Sequence, residues 1–183
     1  MKKILFAAIA LFIGSGAFAQ DVRVGIKAGG NLSTCTNTYL DMKFGFHIGG
    51  FLDFKFDERF GLQPEVLFST QGAVGKSKGQ GLYLKYINVP VLLKISIVEG
   101  ISAEIGPQIG FLVSSDARDM GAAYDYEPRS TIDVTIVGGL SYTFAENFIV
   151  SARYGLGLTN IFNSDYIYHH KNRVIQLSVG YKF

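Results

Sequence analysis

From Asp21 onward the chain alternates apolar and polar residues with a period of two. Eight segments carry the pattern: Asp21–Ser33, Lys43–Phe56, Phe60–Gln71, Leu82–Ile97, Ile101–Val113, Thr131–Phe144, Phe148–Thr159 and Arg173–Phe183. In the second, Phe44, Phe46, Ile48, Leu52, Phe54 and Phe56 stand opposite Lys43, His47, Asp53 and Lys55. In the last, Ile175, Leu177, Val179, Tyr181 and Phe183 stand opposite Gln176, Ser178, Gly180 and Lys182. Successive side chains of a strand point to opposite faces, so each segment predicts a strand with one apolar and one polar face. A tilted strand crosses a bilayer in about 9–11 residues, and every segment reaches that length. No segment of helical period follows residue 20 to cover an apolar face.

The connections alternate as well. Three are short turns: Asp57-Glu58-Arg59, Val98-Glu99-Gly100 and Ala145-Glu146-Asn147. Four are longer and more polar: Thr34–Met42, Gly72–Gly81, Ser114–Ser130 and Asn160–Asn172. Short turns at one end and long loops at the other are the layout of an outer-membrane barrel, with the short turns in the periplasm. An even number of strands brings both ends of the barrel segment to the short-turn side.

A water-soluble, lipocalin-like barrel also has eight alternating strands, with its apolar set inward. Three features favour the inverse arrangement. The polar set is rich in small residues, including Gly25, Gly29, Gly106, Gly139 and Gly180, which suit the narrow interior of eight strands. The apolar set runs along whole strands, with Phe and Tyr clustered near strand ends, as in the aromatic girdles of membrane barrels. The final segment ends on Phe183. The expected fold is all-β: an eight-stranded antiparallel transmembrane β-barrel over residues 20–183.

Residues 1–19 read as a secretory signal peptide. Lys2 and Lys3 form the positive start, Ile4–Ile13 the apolar run, and Ala17-Phe18-Ala19 the cleavage site. The apolar run is too short to span a bilayer as a helix. These two lysines also account for the formal net charge of +2, because the rest of the chain carries 15 basic and 15 acidic residues. No basic face emerges, which argues against nucleic acid as a partner. Cys35 is the only cysteine, so no internal disulfide is available to this exported chain.

Several stretches carry a resemblance to a family. They are Gly25-Ile26-Lys27-Ala28-Gly29-Gly30-Asn31-Leu32-Ser33, Leu62-Gln63-Pro64-Glu65, Asn88-Val89-Pro90-Val91-Leu92-Leu93-Lys94, Gly106-Pro107-Gln108-Ile109-Gly110-Phe111-Leu112 and Arg153-Tyr154-Gly155-Leu156. In this order they resemble the small outer-membrane β-barrel family labelled PorT-like, common in Bacteroidetes. The ending Gly180-Tyr181-Lys182-Phe183 is similar to the signal by which barrels are handed to the assembly machinery. The resemblance implies barrel fold and outer-membrane location over the whole mature chain, and it brings in a role assisting protein secretion as one alternative.

Candidate chemistry is sparse. His47 faces the lumen without a nucleophile or acid that the sequence can name, so it reads as a hydrogen-bonded lumen histidine. His169 and His170 are adjacent in the last long loop and lack a third ligand at metal-site spacing. Asp116, Asp119, Asp125 and Glu127 crowd the third long loop, and they read as a solvated acidic loop rather than a calcium site. Gly72-Ala73-Val74-Gly75-Lys76-Ser77 lacks the spacing and the helix of a phosphate loop. The informative set is six inward-facing charges: Lys27, Asp53, Glu65, Lys94, Glu104 and Arg153. They are expected to form a neutral ion-pair layer in the periplasmic half of the lumen. The expected pairs are Lys27 with Asp53, Glu65 with Lys94, and Lys94 with Glu104, with Arg153 reaching Glu65 or Glu104.

The sequence therefore implies an integral outer-membrane protein with a plugged lumen. It is expected to be non-enzymatic and without cofactor or metal. Its expected partners are membrane lipid, the barrel-assembly machinery (through Tyr181 and Phe183) and other envelope proteins. A scaffold, adhesion or envelope-integrity role through the outer loops follows. A narrow pore and an envelope enzyme are the competing roles.

Overall fold

The computed structural model describes residues 21–35, 41–74, 81–118, 131–159 and 171–183. The expected signal segment, 1–19, lies outside them, as do Asp119, Asp125, Glu127, His169, His170 and the stretch 75–77. Eight strands follow in order: β1 (Asp21–Cys35), β2 (Asp41–Lys55), β3 (Phe60–Val74), β4 (Gly81–Val98), β5 (Ile101–Arg118), β6 (Ile132–Phe144), β7 (Phe148–Gly157) and β8 (Asn172–Lys182). Each pairs antiparallel with the next, and β8 returns to β1, so the sheet is a closed barrel. Closure matters because hydrocarbon offers no hydrogen bonds, and each unpaired backbone group there costs several kcal/mol.

The burial pattern decides which face is wet. Ile26, Ile48 and Leu177 are 57%, 55% and 62% exposed on the outer face. Lys27 and Glu65, on the inner face, are 2% and 0% exposed. Among the described residues, 22 polar or charged side chains are buried against 11 apolar ones. That is the reverse of a water-soluble domain, where an apolar belt of this extent would drive association. The outer belt is built to meet lipid.

β1 to β5 run beyond their alternating segments at the long-loop end, whereas β6 starts at Ile132 and β7 stops at Gly157, short of the segments Thr131–Phe144 and Phe148–Thr159. β5 continues to Arg118, paired with Gly81 of β4, although its apolar alternation stops at Val113. β3 likewise includes Gly72–Val74, and Asp116 stands in β5 rather than in a loop. In β5 residues 113–116 are exposed on both faces, while in β3 and β4 the inward Ala73, Leu82 and Leu84 are buried, so the hydrogen-bonded ladder persists where the alternation lapses. For the same reason Cys35 sits at the end of β1, opposite Asn172, and not inside the first loop. Register shifts at Met42/His47 and Lys85/Tyr86 mark bulges in this outer half.

Each short turn is held by a different device. Asp57 Oδ1 accepts from the amides of Arg59 and Phe60 at 2.7 and 2.6 Å, an Asx-type turn. Gly100 supplies a φ of +79° that a side chain would strain. Ala145 and Glu146 both adopt left-handed backbone, at φ 47° and 62°. This last turn is tied down by Asn147, whose Nδ2 donates to Lys182 O at 2.7 Å.

Aromatic rings line the short-turn rim. Tyr142, Phe144, Phe148, Tyr181 and Phe183 form a continuous chain with successive centroids 6.2, 5.5, 5.0 and 5.2 Å apart. The backbone closes at the same place, where Phe183 N donates to Val24 O at 2.8 Å. Deleting Tyr181–Phe183 removes the short-turn end of the β1–β8 seam and two girdle rings. The expected result is loss of the folded, heat-modifiable band on unboiled gels. Wild-type levels of that band would contradict the seam's importance.

Candidate functional site

Alternation aims the polar residues of all eight strands into one narrow lumen, and strand tilt sorts them into levels. The six sequence-predicted charges fall into two groups, not one layer. The inner group takes one residue from each odd strand: Lys27 of β1, Glu65 of β3, Glu104 of β5 and Arg153 of β7. Arg153 Nε donates to Glu104 Oε2 at 2.6 Å. Its Nη1 and Nη2 donate to the two oxygens of Glu65 at 2.9 and 2.8 Å. Lys27 Nζ donates to Glu65 Oε1 at 2.9 Å, and Gln63 Nε2 donates to that same oxygen. Two cations thus meet two carboxylates, all at most 4% exposed. Such charge-assisted, bidentate contacts are the strongest hydrogen bonds available to side chains.

The second group comes from even strands and lies nearer the short turns. Lys94 Nζ of β4 donates to Asp53 of β2 at 3.1 and 3.3 Å, and Lys182 Nζ of β8 donates to Asp53 Oδ2 at 3.3 Å. Lys182 belongs to the inward polar set of the last segment, but counting heights on the six charges alone leaves it out. Lys27 therefore pairs with Glu65 instead of Asp53, and Lys94 pairs with Asp53 instead of Glu65. Lys94 and Glu104 are directly opposite across the β4–β5 ladder, yet their charged ends are committed to different groups. Tilt makes each hydrogen-bonded row climb around a barrel, so inward residues at one height come from alternate strands. That is why neighbouring-strand pairing fails as a guide here.

An apolar side chain stands between the groups on β2. Phe51, 1% exposed, points inward two residues above Asp53. Its ring lies against Gly25, where an added Cβ would come within 2.2 Å of it. Lys27 Nζ is 5.7 Å from the ring centroid, within cation–π range. The alternation does not announce Phe51, because it occupies a polar-set position.

Above the inner group, His47 has acquired partners that the sequence could not supply. Its Nδ1 lies 2.7 Å from Asn31 Oδ1 and its Nε2 lies 2.8 Å from Ser178 Oγ. Asn31 Nδ2 donates to Phe46 O, Ser69 Oγ and Thr70 O at 3.1, 2.9 and 3.1 Å, which fixes its oxygen toward the histidine. His47 Nδ1 is therefore the donor to Asn31, and Ser178 donates to Nε2. A hydroxyl, an imidazole and an orienting amide in a row share the layout of a catalytic triad. A nucleophile also needs amide donors for the developing oxyanion. Ser178 is in β8, which is laddered to β1 and β7 on its two sides, so the strand amides around it are already committed. The arrangement is a polar core layer. Among the described residues, no group of three His, Cys, Asp or Glu side chains is placed to hold a metal.

This architecture matches known proteins. The model of the outer membrane protein beta-barrel domain matches residues 18–163, and the chain belongs to that family. No curated protein matches the chain. Among solved structures, it is similar to Ail, the attachment invasion locus protein of Yersinia pestis, in complex with the heparin analogue sucrose octasulfate. That likeness has 20% identity and a TM-score of 0.55, over 90% of this chain and all of that one. It is also similar to Neisserial surface protein A, at 13% identity and a TM-score of 0.57, over 88% of this chain and 97% of that one. At these identities the likeness is one of fold. The protein is an outer-membrane β-barrel that sits in outer-membrane lipid.

The pairing makes a specific prediction. Glu104→Ala leaves Arg153 with one carboxylate shared with Lys27, and breaking a buried pair in this way costs about 3–5 kcal/mol. Adding Arg153→Met leaves the neutral Lys27–Glu65 pair and recovers part of the loss. Adding Lys94→Ala instead adds its own separate loss. Urea unfolding in lipid vesicles measures all three, and rescue by Lys94→Ala rather than Arg153→Met would overturn the assignment.

Proposed function

We propose that the protein is a non-enzymatic outer-membrane scaffold with a closed lumen, acting through its outer loops in adhesion or envelope integrity. One observation carries this reading: the Arg153 guanidinium is held by Glu65 and Glu104 across the lumen, with Lys27 completing a neutral group. An eight-stranded interior is just wide enough for side chains to fill, and a layer of mutually bonded charges across it supports a plug rather than a channel. The β3–β4 and β4–β5 ladders carry paired strands past the lipid-facing belt, which gives the outer loops a stiff base. The likeness to Ail, an attachment protein crystallised with a heparin analogue, supports adhesion as the direction to examine. Tyr181 and Phe183 serve in this proposal as the signal read by the barrel-assembly machinery. The PorT-like resemblance adds assistance to protein secretion as a second role, and nothing in the lumen geometry depends on it.

Liposome swelling tests the closed lumen. Proteoliposomes holding the folded barrel are expected to swell in small sugars no faster than protein-free vesicles. Rapid swelling would establish a pore and overturn the scaffold reading.

A further inference from the structure

Below the two charge groups the barrel opens at its short-turn end into a vestibule of about 640 Å³, a size typical of small-molecule sites, which span roughly 300–1,000 Å³. Its floor is Asp53, Lys94 and Lys182, with Arg23 directly opposite Asp53 on the β1–β2 ladder. Lys94 and Lys182 are 8% and 4% exposed, and both ammonium groups share one carboxylate. The other carboxylate near Lys94, that of Glu104, is bound to Arg153. The floor is therefore short of negative charge, and its contacts of 3.1–3.3 Å are longer than the 2.6–2.9 Å contacts of Glu65 and Glu104 with Arg153 and Lys27. The rim has the opposite sign. Asp57, Glu58, Glu99 and Glu146 stand exposed in the three short turns, with Lys55 beside them.

We propose that this vestibule binds the free carboxylate end of a short peptide whose ammonium group remains at the rim. The carboxylate supplies the missing negative charge between Lys94 and Lys182. The acidic rim repels polyanions and anionic surfaces and favours a ligand that brings a positive charge behind its carboxylate. The turn carboxylates face periplasmic water, so the ligand enters from that side. The site needs no passage through the barrel, because it opens at the short-turn end and the Arg153 group lies behind its floor.

The test uses triglycine as the probe, titrated into the isotopically labelled protein refolded in detergent micelles and followed by NMR shifts of the short-turn amides. Triglycine is expected to bind saturably. Its C-terminal amide, which lacks the carboxylate, is expected to bind at least 10-fold more weakly. N-acetyltriglycine, which lacks the ammonium group, is expected to bind several-fold more weakly. Lys182→Gln leaves the neutral Asp53–Lys94 pair, keeps the heat-modifiable fold, and is expected to reduce triglycine affinity at least 10-fold. Absence of saturable binding, equal binding of acid and amide, or an unchanged affinity in Lys182→Gln would each overturn the proposal.

Discussion

The Glu65 carboxylate accepts from Arg153, Lys27 and Gln63 at once, and the rest of the lumen is arranged around it. β3 and β7 lie on opposite sides of an eight-stranded barrel, so the Glu65–Arg153 contact spans the interior. Lys27 and Glu104 come from the other opposed pair, β1 and β5. An ionised group taken out of water costs several kcal/mol unless it is paired and hydrogen-bonded. Each of the four groups is thus tolerable only while the other strands hold their register.

That dependence explains why charge is placed inside. Replacing a buried ion pair by well-packed apolar residues is often neutral or stabilising, so the group is not explained by net stability alone. What it supplies here is selection. A slip of one residue in β3 or β7 would turn Glu65 or Arg153 toward lipid and strand the partner inside. The lipid-facing belt, apolar along its length, has no comparable means of specifying register. Phe51 against Gly25 separates this group from the looser charges below, so the buried middle and the open vestibule at the short-turn end are distinct environments a few residues apart on the same strands.

Much of this was legible in the residues. Alternation from Val22 to Phe183 implies the strands, the closed sheet and the inward direction of all six charges, because a period of two has one structural meaning. The short turns were legible from their length. The pairing was not, because it depends on tilt, and tilt is a property of the whole closed sheet that no single strand encodes. Lys94 and Glu104 make the point, being opposite on the ladder and yet committed to different groups. Phe51 and Lys182 were missed for separate reasons. One is an apolar residue at an inward position, and the other lies at the end of the last strand, where height is hardest to judge. The outer reach of β3, β4 and β5 was hidden because alternation fades there: Ala73, Leu82 and Leu84 put apolar side chains on the inner face of β3 and β4, and in β5 both faces are exposed. The partners of His47 come from β1 and β8, 16 and 131 residues away along the chain, beyond any local pattern.

The arrangement of the lumen turns on Arg153 being fixed across it by two carboxylates. Nitrogen-15 NMR of the arginine side chains in lipid nanodiscs reads this directly. Separate, slowly exchanging Nη–H resonances are expected for Arg153, with a downfield Nε–H from its 2.6 Å bond to Glu104. A single averaged Nη resonance exchanging rapidly with water would show a mobile, hydrated guanidinium, and would contradict that fixed bridge.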